Sequence, residues 1–513
     1  MERLHDACGI VGIYMPQTDR KLDVRRYITL ALTALQHRGQ ESAGMAVYTH
    51  DNEIAHHVGM GKVREVFQNS GVDSLPETHC GIGHVRYSTT GSSCVENAGP
   101  FVVGAQQRQY DSIALAHNGN LVNGQTLRSF FASDIFTSTT ESEVIAHLLL
   151  YADGRTLRDR LIETFPLLRG SYSLVVLAEG KLHAFRDPWG MRPLCIGHIG
   201  KSWIVASESC ALDRTGGTYI REVEPGELIT IDEDGMHSEV LVKASHNSLC
   251  VFEHIYFSEA TSRLNDTYVY MVREALGREL AREHPIDADM VVPVPDSSIP
   301  AALGYANESG IGYGHAIIKN RYSDRSFIKP DQRLRQLEVD LKFNFVQPKI
   351  EDARLIIVDD SIVRGNTVKR LVSALRNRGV KEIHLRSTSP PLRHPCYFGI
   401  DIPQEEELIA AGRSIQEIAD FIGVDSLGYL SLAGLGRAIQ TAGAINKVNV
   451  NDEQALKFLN QEFCYGCMER QGWPFDPIAG AKHGAQLATF FPRNTIGTES
   501  PQAISHEEIP VQK

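Results

Sequence analysis

The chain reads as an α/β protein with more than one domain. Residues 355–358 are four apolar, largely β-branched positions, which suit a strand buried on both faces. Asp359 and Asp360 end that run and a short loop with Gly365 follows. Val368, Leu371, Val372 and Leu375 then recur at the spacing of an amphipathic helix that Gly379 can terminate. A second apolar run begins at Ile383, completing a β-loop-α-β unit. Strand and helix patterns alternate in the same way from Met290 onward, which predicts a mainly parallel sheet with helices on both faces. At 513 residues there is room for two or three domains, each with its own core.

Composition narrows the function classes. A net charge of −12 argues against nucleic acid as a main partner. No run approaches the ~20 apolar residues of a membrane span, and residues 1–7 lack the apolar core of a secretory signal. Nine cysteines in a chain this size show no tight disulfide framework, so a reducing cytoplasm is the expected compartment. The polar stretch from Arg493 onward is expected to be loosely ordered.

The N-terminal half carries strand patterns from Gly9 onward. Asp23 can cap a helix whose apolar face is Val24, Tyr27, Ile28, Ala31 and Leu35 and which is expected to end at Gly39. Residues 36–44, around that helix end, are dense in polar and small side chains. Further strands are read at 172–177 and 182–185, with Glu179 and Gly180 as a hairpin turn. In the C-terminal half, residues 290–295 read as a strand, Asp296 to Ser298 as its carboxyl end, and 299–306 as a helix. Ligands of such sheets gather at the carboxyl ends of strands, where Asp296, Ser297, Asp359 and Asp360 all fall. For Asp296 and Ser297 a simple helix cap is equally consistent.

The chemistry of the 355–367 segment is specific. A loop leading into a helix N-terminus presents backbone N–H groups to a phosphate. The paired carboxylates add acceptors suited to ribose hydroxyls, or to Mg²⁺ shared with a pyrophosphate. The strand, the two acids, Ser361, Arg364, Gly365 and Thr367 together resemble the phosphoribosylpyrophosphate (PRPP) loop of type I phosphoribosyltransferases. Asn366 stands where amidotransferase members of that family usually carry Thr, and it keeps a hydrogen-bond donor. The resemblance implies PRPP binding by Asp359, Asp360, Ser361, Arg364, Gly365, Asn366, Thr367, Lys319 and Arg321, with Ser297, Asp359 and Asp360 around Mg²⁺. Residues 319–342 resemble the loop that closes over PRPP in that family. Ser323 and Asp324 depart from its usual Val-Gly, and Asp340 stands where a basic residue is common. Reversing a charge beside a polyphosphate predicts weaker binding.

Residues 8–13, 36–44, 83–89 and 115–121 together resemble the class II glutamine amidotransferase domain. That domain is an N-terminal-nucleophile hydrolase with an αββα sandwich. The resemblance makes Cys8 the nucleophile, exposed by removal of Met1 to Ala7. While Ala7 is attached, the Cys8 nitrogen is an amide and no base. Cleavage frees an α-amine with a reference pKa of about 8, able to take the thiol proton and pass it to departing ammonia. By the same resemblance Asn118 and Gly119 form the oxyanion hole, Arg86 grips the glutamine α-carboxylate, and Thr89 and Glu141 complete the glutamine site. Glu141 replaces the family's usual Asp, which receives the glutamine ammonium, so weaker glutamine binding is expected. Trp189 replaces a usual Asn.

Cys464 and Cys467 form a short chelating pair that alone fits a zinc knuckle or a redox pair. With Cys250 and Cys396 they match the four ligands of a [4Fe–4S] cluster in the iron–sulfur bacterial type of amidophosphoribosyltransferase, the family the whole chain resembles. Four thiolates also suit zinc, but the resemblance favours the cluster, in a structural role. Cys80, Cys94, Cys195 and Cys210 read as packing residues.

The resemblance divides the chain into a propeptide at 1–7, an amidotransferase domain at 8–240, a phosphoribosyltransferase domain at 250–470 and a tail at 471–513. It implies glutamine and PRPP as substrates, purine nucleotides as inhibitors and a homo-oligomer, expected to be a tetramer. The departures at Glu141 and Asp340 keep two other readings open: a PRPP-binding regulatory protein, or a simple glutaminase with a decayed transferase site.

Overall fold

A computed structural model describes residues 8–16, 23–51, 53–68, 71–87, 92–104, 112–320, 343–402, 404–442 and 450–478. The leader, Thr89, Arg321, Ser323, Asp324, Asp340 and the tail from 479 lie outside these residues.

The N-terminal half folds as two antiparallel sheets between helical layers. The strand Gly9–Tyr14 runs in the middle of a seven-stranded sheet, paired with Ser202–Ala206 and Cys80–Arg86. Its side chains alternate as a pleat requires. Val11 and Ile13 meet Ile28 and Leu32 of the helix Val24–Ala34, while Ile10 and Tyr14 join Val175, Leu177 and Leu182 of the second, six-stranded sheet. That second sheet carries Glu141–Tyr151 and Leu157–Thr164 on its outer face. The αββα sandwich is therefore present. Both faces of the central strand are covered, which explains why residues 9–14 are all buried.

Local chemistry accounts for the boundaries. Asp23 caps the first helix through the Arg25 N–H, as the sequence indicates. The helix stops at Ala34, five residues short of Gly39, because Leu35 leaves helical geometry with ψ 5° and Arg38 N–H turns back to the Leu35 carbonyl. That turn carries the Arg38 side chain into the interior, where it is 1% exposed. Glu179 and Gly180, at φ 58° and 71°, make the two-residue hairpin turn between paired Ala178 and Lys181.

The C-terminal half holds a four-stranded, wholly parallel sheet in the order Met290–Pro293, Arg354–Asp359, Glu382–Ser387, Ser426–Tyr429. Leu355 and Ile357 face a core with Val368, Leu371, Val372 and Leu375, while Ile356 and Val358 face the opposite core with Leu276 and Tyr305. Two-sided burial is why that strand reads as a continuous apolar run. A short parallel pairing of Leu249–Cys250 with Phe463–Cys464 ties the entry of this half to its end.

Candidate active site

Cys8 leads into the central strand of the first sheet and lines a small cleft together with His84, Arg86, Tyr87, His117, Gly119 and Glu141. Arg86 reaches the cleft from the end of the strand Cys80–Arg86, 4% exposed, with Glu41 at 3.6 Å. Gly39 lets the chain pass behind it, since a Cβ there would come within 2.6 Å of the Arg86 backbone. Gly119 has φ 153°, and a Cβ would meet the Ser171 carbonyl at 2.0 Å. Its neighbour Asn118 is wholly buried, and both atoms of its side-chain amide lack a hydrogen-bond partner in the protein. A buried, unsatisfied donor costs free energy unless something arrives to accept from it. Asn118 itself lies behind the cleft wall, which Gly119 and His117 on either side of it line.

Glu141 is the first residue of the helix Glu141–Tyr151. Its Cγ occupies the space where Gly124 has no side chain; a Cβ on Gly124 would lie 2.4 Å from it. The extra methylene relative to Asp is accommodated there, next to the cleft. Glu143, two residues on, is spent on the loop, accepting from Thr137 and Ser138 backbone and hydroxyl groups. Two histidines complete the wall. Burial lowers His84 to about 3 and His117 to about 4, so both are neutral near pH 7. His84 Nε2 lies 3.2 Å from the His117 carbonyl, and His117 Nδ1 lies 3.1 Å from Ser142 Oγ.

The second site sits at the carboxyl ends of two adjacent parallel strands. Asp359 and Asp360 are 8% and 6% exposed. Ser297 Oγ donates to Asp360 Oδ2 at 2.6 Å and Ser361 Oγ to Asp360 Oδ1 at 3.0 Å, so Ser297 joins the acidic pair instead of capping the helix Ile299–Ser309. Lys319 Nζ donates to Asp296 Oδ2 at 2.8 Å. Gly365 adopts φ 76° as the helix Asn366–Arg376 begins, which places Asn366 and Thr367 in its first turn. Arg364 pairs with Glu407 at 2.6 Å. The hydroxyl and carboxylates near Asp360 are an all-oxygen set of the kind Mg²⁺ prefers.

Cys250, Cys396, Cys464 and Cys467 come from three separate segments into one neighbourhood. Burial and the neighbouring thiols push Cys464 up to about 12, and Cys250 and Cys467 are pushed up for the same reasons. The donor chemistry fits a group held by four thiolates. Among the described residues, no group of three or more His, Cys, Asp or Glu is arranged to hold a metal ion. None of the nine cysteines is joined in a disulfide. Cys80, Cys195 and Cys210 are packed as expected, whereas Cys94 is half-exposed beside Ser92.

Sequence reasoning missed several contributors. Trp189 packs on Phe475 with ring centres 4.7 Å apart and tilted by 40°, and with Phe398 and Trp473 it packs around Cys396 and Cys464, contacts its place in the sequence did not announce. Trp473 lies where a Cβ on Gly466 would stand, so the turn between Cys464 and Cys467 has room only for Gly. Asp187 is fully buried and raised to about 6, accepting from the Tyr172, Trp189 and Met191 backbone N–H groups. Arg38 and Glu253 meet across the two halves. The polar density at 36–44 marked that region without marking the partner.

Comparisons with known proteins agree with this arrangement. Residues 95–214 match the glutamine amidotransferase domain family and residues 268–388 the phosphoribosyl transferase domain family. The amidophosphoribosyltransferase of Archaeoglobus fulgidus is 45% identical over 443 residues, covering 85% of this chain and 94% of that protein. That of Bacillus subtilis is 42% identical over 438 residues, covering 85% and 90%. A solved structure of glutamine PRPP amidotransferase from B. subtilis, complexed with ADP and GMP, superposes with a TM-score of 0.80. It is 40% identical and covers 90% of this chain and 96% of that one. With two domain families in this order and such identity over most of its length, the chain belongs to the amidophosphoribosyltransferase family.

Proposed function

We propose that the chain makes 5-phosphoribosylamine from PRPP, glutamine and water, releasing pyrophosphate and glutamate at the first committed step of purine synthesis. The observation that carries this is the pairing, in one chain, of a cleft lined by Cys8, Arg86, Gly119 and Glu141 with a PRPP-type loop at the ends of parallel strands. In this reading residues 8–240 form the amidotransferase domain and 250–470 the transferase domain. The regulatory and glutaminase-only readings are not favoured, because relatives named amidophosphoribosyltransferase match across both halves.

Loss of residues 1–7 frees the Cys8 amine. Cys8 Sγ then attacks the glutamine carboxamide and the amine takes the thiol proton. Asn118 and the Gly119 N–H stabilise the oxyanion, Arg86 and Glu141 orient the two ends of the amino acid, and Thr89 is assigned to the same glutamine site by the family resemblance. Ammonia leaves with that proton, and water hydrolyses the Cys8 thioester to glutamate. Ammonia passes through the interior to C1 of PRPP and displaces pyrophosphate. Asp359, Asp360, Ser361, Arg364, Gly365, Asn366, Thr367, Lys319 and Arg321 hold the PRPP, and positioning and fixed charge carry this half. Ser297, Asp359 and Asp360 would hold Mg²⁺, which would supply charge neutralisation for the departing pyrophosphate. Cys250, Cys464 and Cys467, which are buried, and the half-buried Cys396 would hold a [4Fe–4S] cluster, which would fasten the C-terminal segment to both halves. Nucleotide inhibition is supported by ADP and GMP in the B. subtilis structure. A cytoplasmic homo-oligomer, a tetramer, completes the proposal. No helix among the described residues is long and apolar enough to cross a membrane.

The test is release of glutamate and pyrophosphate by anaerobically purified protein with glutamine and Mg²⁺, with and without PRPP. Equal, PRPP-dependent release of both is expected. Glutamate release indifferent to PRPP, with no pyrophosphate, rejects the reading.

A further inference from the structure

Four charged side chains outside the chemistry above lie buried where the two halves meet. Arg38, Arg192 and Glu208 come from the first half and Glu253 from the second, and each is at most 1% exposed. Arg38 binds Glu253 through both terminal nitrogens, at 3.0 and 2.9 Å, and Glu208 through Nη1 at 2.5 Å. Its Nε donates to the backbone carbonyl of Cys8 at 3.3 Å. Glu253 also takes the Ser258 hydroxyl at 2.6 Å and Arg192 Nη1 at 3.3 Å. Glu208 is filled by His37, the Ser262 hydroxyl and the Glu259 N–H. Two cations and two anions balance here. A planar guanidinium with every edge engaged has one orientation only.

Glu253 sits on an unusual element, the π-helical turn Glu253–Phe257. Arg273 grips that turn from the other side, donating to the His254 and Ser258 carbonyls at 2.9 and 2.7 Å. The chain of contacts therefore runs from Arg273 through the 253–257 turn to Arg38 and Cys8.

We propose that Glu253 is a positioning residue for glutamine hydrolysis: from the second half it fixes Arg38, which in turn fixes Cys8. Cys8 is half-exposed at the start of its strand, and its carbonyl is held by Arg38. The orientation of that carbonyl sets where the thiol and the freed amine point. A displacement of about 1 Å at a reacting group can cost ~10²-fold in rate. The amidotransferase site is incomplete without a carboxylate from the other half, which joins the two activities physically. The proposal rests on Cys8 being the nucleophile.

The test uses Glu253→Gln, which keeps shape and removes charge, and Ser258→Ala, which removes one hydrogen bond and leaves the charge. Glutamine hydrolysis and ammonia-dependent formation of phosphoribosylamine are measured on the full-length enzyme, with circular dichroism to confirm folding. In Glu253→Gln, kcat for glutamine is expected to fall roughly 10- to 100-fold with the glutamine KM little changed and ammonia-dependent activity retained. Ser258→Ala is expected to show the same pattern at smaller size. A folded Glu253→Gln with a normal glutamine kcat overturns the proposal. So does a rise in KM alone, or equal loss of glutamine- and ammonia-dependent activity. If Glu253→Gln does not fold, Ser258→Ala with a normal glutamine kcat overturns it. Wild-type protein that hydrolyses no glutamine rejects the reading of Cys8 itself, a separate result.

Discussion

At the scale of single residues, the cleft shows how one substitution is absorbed by another position. Glu141 carries a longer side chain than its family usually has there, and its Cγ fills the space left by Gly124. Gly124→Ala therefore pushes Glu141 toward the cleft, and the glutamine KM is expected to rise about tenfold, the cost of roughly 1.4 kcal/mol in binding. Glu141→Asp withdraws the methylene. It is expected to lower the glutamine KM and to make Gly124→Ala nearly silent. Steady-state glutaminase kinetics on the two single variants and the double variant check both statements. An unchanged KM in Glu141→Asp rejects the view that the longer side chain weakens glutamine binding.

At the scale of elements, two connections carry the function. The loop before the helix Asn366–Arg376 turns on Gly365 at φ 76°, where a Cβ would also lie 2.5 Å from Ile409 Cδ1. Gly365→Ala is expected to cost about 1–2 kcal/mol in urea unfolding and to raise the PRPP KM, because the strained loop no longer presents Asn366 and Thr367 in register. The second connection is the segment 473–478, fastened by the Trp189–Phe475 contact beside the cysteine pocket. Trp189→Asn removes an aromatic pair worth about 0.5–1.5 kcal/mol beyond its buried area. Faster proteolytic cleavage after 472 is the expected result, read by timed digestion and mass spectrometry.

At the scale of the molecule, four buried histidines set the acid limit of stability. His84 is lowered to about 3 and His117, His183 and His254 to about 4, in each case chiefly by burial. Their folded pKa values lie below the unfolded value of about 6.5. The stability they contribute is complete above that pH and is lost as the pH falls toward 4, by about 1.4 kcal/mol per pH unit per histidine. Asp187, raised to about 6 by burial, works the other way: its protonated form is favoured in the fold, so it regains stability below about 6 and offsets one of the four. Urea unfolding at pH 7, 6 and 5 is expected to show a steep fall. His183→Asn, away from both sites, is expected to flatten it by one proton's share.

How much of this was legible in advance follows from the range of the forces. The run 355–358, the acids after it and the spacing of Val368 to Leu375 are local, and they specified the strand, loop and helix as found. The pairs that make the sites are not local. Ser297 meets Asp360 across 63 residues, and Arg38 meets Glu253 across 215. Nothing near Arg38 in the chain announces Glu253, because a buried arginine is satisfied by whichever carboxylate packing delivers to it. The helix end expected at Gly39 came at Ala34 for the same reason: the interior demand for Arg38 outweighed the local signal for a longer helix. By itself the sequence determined the class of each half, the loop at the strand ends and the residues able to do chemistry, since periodicity and backbone-directed side chains act over a few residues. Only the tertiary structure decided that Gly124 makes room for Glu141, that Trp189 closes on Phe475, and that Arg38, which donates to the Cys8 carbonyl, is paired with Glu253 from the other half. Those are questions of volume and buried charge, which are settled only when distant segments are pressed together.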